Sequence, residues 1–188
     1  MNKLTLIFLL FINWAYAQKK PIDLKETFNK FQKLNEKKEF DKAFDYYYDG
    51  FLKIVPKSEL IKSLSELNNN TNYEYFVKNS KIISISKVIE RNRIKYALIK
   101  FGGKTHIKFN DSSDVKIIQL IKQNAKNIFG ETYSYSESKK EITFSKISEM
   151  IAITDNGWKF FAYSNKMKPI VKTLIPIDVL EKILIDRN

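Results

Sequence analysis

The spacing of apolar side chains changes character near Tyr73. Before residue 70 they recur every three or four positions, and from Tyr73 they alternate, with helical spacing returning in one insert and in the tail. The first pattern predicts a helix over Asp23 to Asn35, with Leu24, Phe28, Phe31 and Leu34 on one stripe. Asp23 is placed to cap it, and Glu26 completes a capping box. A second, short helix is predicted over Phe40 to Tyr48, with Phe40, Ala43, Phe44 and Tyr47 inward and Gly50 ending it. Pro56 opens a third, which runs to about Leu67 behind Leu60, Ile61, Leu64 and Leu67.

The alternating pattern predicts strands. Ile83, Ile85 and Ile89 share one face, Arg91-Asn92 turns, and Ile94 to Phe101 returns as the partner. Gly102-Gly103 is expected to break that strand. Lys104 to Phe109 then forms another, with Thr105, Ile107 and Phe109 on one side and Lys104, His106 and Lys108 on the other. Val115 to Phe129 reads as an inserted helix, carrying Val115, Ile118, Ile121, Ala125 and Ile128 along one side, with Gly130 as its cap. Thr132 to Tyr135 and Glu141 to Ile147 follow as two strands.

Met150 to Tyr163 carries the strongest local signal, Asn156-Gly157 between two β-prone runs. A two-residue type I′ turn there would oppose Ile153 to Phe160 and Ala152 to Phe161. It would group Ile151, Ile153, Trp158, Phe160 and Ala162 on one face, and Met150, Ala152, Phe161 and Tyr163 on the other. Apolar residues on both faces predict a hairpin covered on both sides. Pro169 and Pro176 punctuate the tail, and Pro176 to Asp186 reads as a closing helix with Ile177, Leu180, Ile183 and Leu184 inward. The order predicts an α+β fold: a curved antiparallel sheet wrapping amino-terminal helices as a cone, with one inserted helix and one carboxy-terminal helix.

Residues 1–17 fit a signal peptide: Lys3, an apolar run from Leu4 to Ile12, and Ala15-Tyr16-Ala17 before Gln18. Residues 18–188 are then one exported domain, periplasmic or extracellular, without a transmembrane segment in the mature chain. The chain has no cysteine, so it folds on its core alone, and it holds 14 Phe, 10 Tyr and 2 Trp to build one. The net charge of +12 is almost wholly lysine; the arginines are Arg91, Arg93 and Arg187. Specific nucleic-acid recognition recruits the arginine fork, so the charge points elsewhere: to an A+T-rich genome's lysine usage, with an attraction to anionic polymers as its consequence. One histidine and no cysteine argue against a metal centre, and five scattered glycines against a phosphate loop. No cofactor is expected.

The segments EKKEFDKAFDYYYDGF, VPKSELIKSLSEL and DNGWKFFAY, in that order, resemble the nuclear transport factor two-like (SnoaL-like) superfamily. The resemblance covers roughly Asp23 to Tyr163; the inserted helix and the tail depart from the minimal pattern. It implies a cystatin-type cone, and pairing of two copies through the sheet's outer face. Enzymes of this superfamily use a carboxylate, sometimes a histidine, with tyrosines inside the cone. The matching candidates are Asp45, Asp49, Tyr46, Tyr47, Tyr48 and His106, with Asp45 and Asp49 one helical turn apart. His106 falls on a polar strand face, where a rim position is expected. Tyr47, Phe51, Phe101, Trp158, Phe161 and Tyr163 are the candidate ligand-binding aromatics at an apolar mouth. With no convincing acid–base set, the expected function is a non-catalytic binding module for a small apolar molecule, a peptide or an anionic surface polymer. The rival is a small lyase or isomerase with an aspartate base and a tyrosine partner.

Overall fold

The computed structural model describes residues 23–154 and 157–185; the proposed leader, Asp155, Asn156 and Asp186 lie outside them. The described chain is an α+β fold: α1 (Leu24–Glu36), α2 (Phe40–Phe44), α3 (Asp49–Ile54), α4 (Lys57–Asn68), β1 (Tyr73–Ile85), β2 (Ile89–Arg91), β3 (Ile94–Phe109), α5 (Val115–Phe129), β4 (Ser134–Ser136), β5 (Glu141–Thr154), β6 (Trp158–Tyr163), α6 (Lys168–Leu174) and α7 (Ile177–Ile185).

β3 and β5 are the central strands of an open, six-stranded antiparallel sheet. β1 and β2 share the outer edge of β3, while β4 and β6 share the outer edge of β5. Where β1 gives way to β2, Ser86 keeps the edge closed. Its N–H donates to the Leu98 carbonyl at 2.9 Å and its hydroxyl accepts from the Leu98 N–H.

Alternation along β3 divides the sheet into two faces. Ala97 and Ile99 point toward α1, where Phe28, Phe31, Met150, Ala152, Trp158 and Phe160 complete one core. Tyr96 and Leu98 point the other way, into a second core closed by α3, α6 and α7 around Phe51, Ile151, Phe161, Val171 and Leu180. A third cluster, Phe109, Ala125, Ile142 and Phe144, seats α5 on the far end of the α1 face. Here Phe129 stacks on Phe144 at 3.8 Å between ring centroids. The hairpin is thus covered on both sides, as its pattern required.

Its register is one residue away from the expected one. Ala152 pairs with Phe160 and Ile151 with Phe161, so Asp155, Asn156 and Gly157 separate the closing pair Thr154 and Trp158. A two-residue loop would give a different partner at every position. The slip also corrects the face sets: Trp158 and Phe160 lie with Met150 and Ala152, and Phe161 and Tyr163 with Ile151 and Ile153. The tight two-residue turn occurs instead at Asn92 and Arg93, both with positive φ (52° and 67°), between the paired Arg91 and Ile94.

Other expectations are corrected as well. Gly102-Gly103 does not break β3, which runs on for 16 residues. The pair lies opposite a bulge in β1, where Asn79 takes φ 58° and the register shifts between Lys78 and Lys81. A Cβ on Gly103 would stand 3.0 Å from the Ser80 hydroxyl and 3.2 Å from the Lys78 carbonyl, so the close backbone approach explains the glycine. The second helix stops at Phe44. Tyr46 closes a turn, Tyr47 and Tyr48 are extended, and the segment pairs alongside β6: the Phe160 N–H donates to the Tyr46 carbonyl at 2.7 Å and Tyr48 N–H to the Phe160 carbonyl at 3.0 Å. Gly50 therefore lies inside α3 and ends nothing. Glu141 to Thr154 form one strand where two were expected, and Pro169 opens α6 where a break was expected. Finally, the α5 stripe is narrower than its pattern: Ala125 is buried, but Val115 and Ile128 are 69% and 71% exposed.

Helix boundaries set by local chemistry match the sequence. The Asp23 carboxylate accepts from the Glu26 N–H at 2.9 Å, and the Asp114 carboxylate from the Lys116 N–H at 2.7 Å. Asp23→Ala is expected to cost about 1 kcal/mol, read as a lower midpoint at unchanged slope in urea unfolding.

Candidate functional site

Between α1, α4 and the α1 face of the sheet lies a partly open cavity of about 220 Å³. It exists because α4 stands off the sheet. No α4 residue is buried, and Leu64 and Leu67 are only half-buried. Phe40, Leu64, Leu67, Val77 and Phe101 give the cavity apolar walls. Polar residues share the lining, among them Gln32, Asn35, Lys38, Asn68, Lys146 and Ser148, together with Tyr75 and Thr105 on the sheet. Thr105 is 2% exposed, a polar residue on a strand face whose neighbours Ile107 and Phe109 are apolar. The Tyr75 phenol is pushed up from its usual range by burial, partly offset by its hydrogen bond with Thr105. Glu36 is the only carboxylate on the lining, and it already accepts the Ser80 N–H at the β1 bulge, at 2.8 Å.

The candidate aromatics distribute otherwise than one mouth would require. Phe101 borders the cavity. Phe51, Phe161 and Tyr163 belong to the core under α3, α6 and α7, and Trp158 to the core under α1. Tyr47 packs against both cores, edge-on to Phe31 at 5.6 Å, and burial pushes its phenol up. Phe51 and Phe161 stack on each other at 5.6 Å. These rings fill space that a ligand would need.

Asp45 and Asp49 do not share a helix. Asp45 follows α2, Asp49 begins α3, Tyr46 to Tyr48 lie between them, and both aspartates are exposed.

His106 stands on the opposite face of the sheet from the cavity, between Lys104 and Lys108 as alternation placed it. It is more enclosed than a rim histidine, with 17% of its side chain exposed. Its ring lies parallel to Phe76 at 4.8 Å, and its Nδ1 pairs with the Glu141 carboxylate. The Lys78 ammonium sits 4.7 Å from the centre of the same Phe76 ring. Together with Ser134 and Tyr135 these residues border an open groove of about 1100 Å³.

Thr105 and Tyr75 were legible only as strand positions, since the cavity arises from how α4 sits on the sheet. Glu141 lies 35 residues from His106, and only the β3–β5 register brings them together. Among the described residues no group of three or more His, Asp or Glu side chains is placed to hold a metal ion, and no helix is long and apolar enough to cross a membrane. Comparison of the chain with protein-family models, with curated proteins and with solved structures returns no match.

Proposed function

We propose that this is an exported, non-catalytic binding module of the nuclear transport factor two-like type, whose ligand is a compact, mainly apolar molecule with one hydrogen-bonding group. The cavity between α1, α4 and the sheet carries the reading: apolar walls of Phe40, Leu64, Leu67 and Phe101 around the Tyr75–Thr105 pair. A few convergent polar groups in an apolar pocket are what orient a small ligand. At about 220 Å³ the cavity is smaller than common ligand pockets of about 300–1,000 Å³, so it selects small molecules. Benzene occupies an apolar cavity of about 150 Å³, which sets the scale. Proton abstraction is the weaker reading, because the one lining carboxylate, Glu36, is held by a backbone N–H.

Methyl NMR spectra recorded while titrating phenol and cyclohexanol test this. The expected shifts fall on Leu64, Val77 and Thr105. Ser148→Phe, which adds a ring at the cavity wall beside Phe101, should weaken either ligand at least about tenfold while circular dichroism stays unchanged. No shift at millimolar ligand, or equal binding by the filled variant, would refute the reading.

A further inference from the structure

The face of the sheet that carries Tyr96 and Leu98 is only half covered. α3, α6 and α7 pack on one end of it, and among the described residues no helix packs on the other end. Register fixes what is displayed there. On β1 stand Glu74, Phe76, Lys78, Lys81, Ile83 and Ser84; on β3, Lys100, Gly102, Lys104, His106 and Lys108; on β5, Glu141, Thr143, Ser145, Ile147 and Glu149, so the acids lie at the two ends of the face and the lysines across its middle. Lys78, Lys81, Lys104 and Lys108 are exposed.

One row is unusual. Lys78 is the direct cross-strand partner of Lys104, and the third residue in that row is Ser145. Like charges directly opposite destabilise a sheet. Among the described residues neither lysine forms an ion pair, nor does Lys108. Of the acids beside Lys108, Glu141 is bound by His106 and Glu74 lies 4.0 Å from the Lys38 ammonium, while Lys140 at the groove's edge pairs with Asp111 at 2.9 Å. The face thus keeps cations at the price of local repulsion, which a bound polyanion would relieve.

We propose that this uncovered half-face, centred on Lys78 and Lys104 and continuing into the groove beside Lys108, binds a linear acidic polysaccharide. A surface three strands wide suits an extended chain. Lysines are point charges without the arginine fork, which suits a run of anionic groups strung along a polymer better than one bidentate contact. Single-stranded nucleic acid is disfavoured because it binds by stacking on open aromatic rings. Of the aromatic rings there, Phe76 is already flanked by His106 and Lys78, Tyr135 in the adjoining groove lies under the Lys122 ammonium, and Phe109 is buried. A second copy of the chain is disfavoured because a two-fold contact through this patch sets lysines against lysines. The site lies on the other side of the sheet from the small-molecule cavity and stands independently of it.

Fluorescence anisotropy of labelled polygalacturonate, over a range of salt, tests it with two charge-matched double variants. Lys78→Gln/Lys104→Gln removes the opposed pair. Lys25→Gln/Lys33→Gln removes two exposed lysines of α1, on the other side of the sheet. The first should lose at least about tenfold in affinity and flatten the salt slope by about two charges; the second should change affinity less than about twofold. Ligand-free, the first should also melt about 1–2 °C higher, because a repulsion is gone. Equal losses in both variants, no binding by the parent protein, or tighter binding of oligo(dT) at matched charge would overturn the proposal. So would a lower melting temperature in the first variant, or light scattering that shows a dimer dissolved by the same substitutions.

Discussion

Phe160→Ala is expected to remove about 3–5 kcal/mol of stability, the largest loss from any single truncation in this fold. Phe160 is 0% exposed and meets Phe28 edge-on at 5.2 Å and Phe31 at 5.3 Å. Its backbone also holds the Tyr46 to Tyr48 segment against β6. Truncation leaves a cavity at the point where α1, the sheet and that segment meet, and the rigid β5–β6 ladder cannot collapse into it. Urea unfolding should show the loss as a lower midpoint. Ile147→Ala, at a residue 61% exposed, should stay within about 0.5 kcal/mol and serves as the control. A Phe160→Ala loss no larger than the control's would show that this core is not closed around β6.

Loop length in the β5–β6 hairpin should matter almost as much, and asymmetrically. Three residues join Thr154 to Trp158. Deleting Asn156 leaves a two-residue loop that favours the neighbouring register, and a one-residue slip sends every side chain of β6 to the wrong face. Trp158 and Phe160 would then point toward α6 and α7, and Phe161 and Tyr163 toward α1. The deletion is expected to cost more than about 4 kcal/mol or to abolish cooperative unfolding. Inserting one glycine in the same loop leaves the ladder free to keep its pairs and should cost under about 1 kcal/mol. Equal tolerance of both changes would mean that the register is not fixed by the two cores.

What was legible in the sequence was whatever local chemistry decides. α1 begins where Asp23 can cap it, and α5 runs from Asp114's cap to Gly130. The antiparallel α+β class followed from the change of period at Tyr73, after a run of helices. What was not legible depends on partners far along the chain. Tyr47 continues the helical stripe of Phe40, Ala43 and Phe44, yet the helix stops before it because the backbone groups of Tyr46 and Tyr48 pair with Phe160. Gly102-Gly103 looks like a break until the β1 bulge is seen to crowd it. Asn-Gly suggests a two-residue loop, but the register follows the packing of Phe160 and Phe161 on opposite faces. For the site, alternation placed His106 on the polar face, whereas its carboxylate partner needed the β3–β5 register. The aromatics that looked available for a ligand are mostly core, because a chain without cysteines stabilises itself by filling space with them.

Cross-strand proton contacts between β5 and β6 test the architecture most directly, since both cores and the cavity depend on which side chains share a face. Nuclear Overhauser spectra should connect the backbone of Ala152 with that of Phe160, and Ile151 with Phe161. They should also join the Phe160 ring to Phe28 and the Phe161 ring to Phe51. Contacts from Ala152 to Phe161 and from Ile153 to Phe160, with the Phe160 ring near Val171 or Leu180, would contradict it.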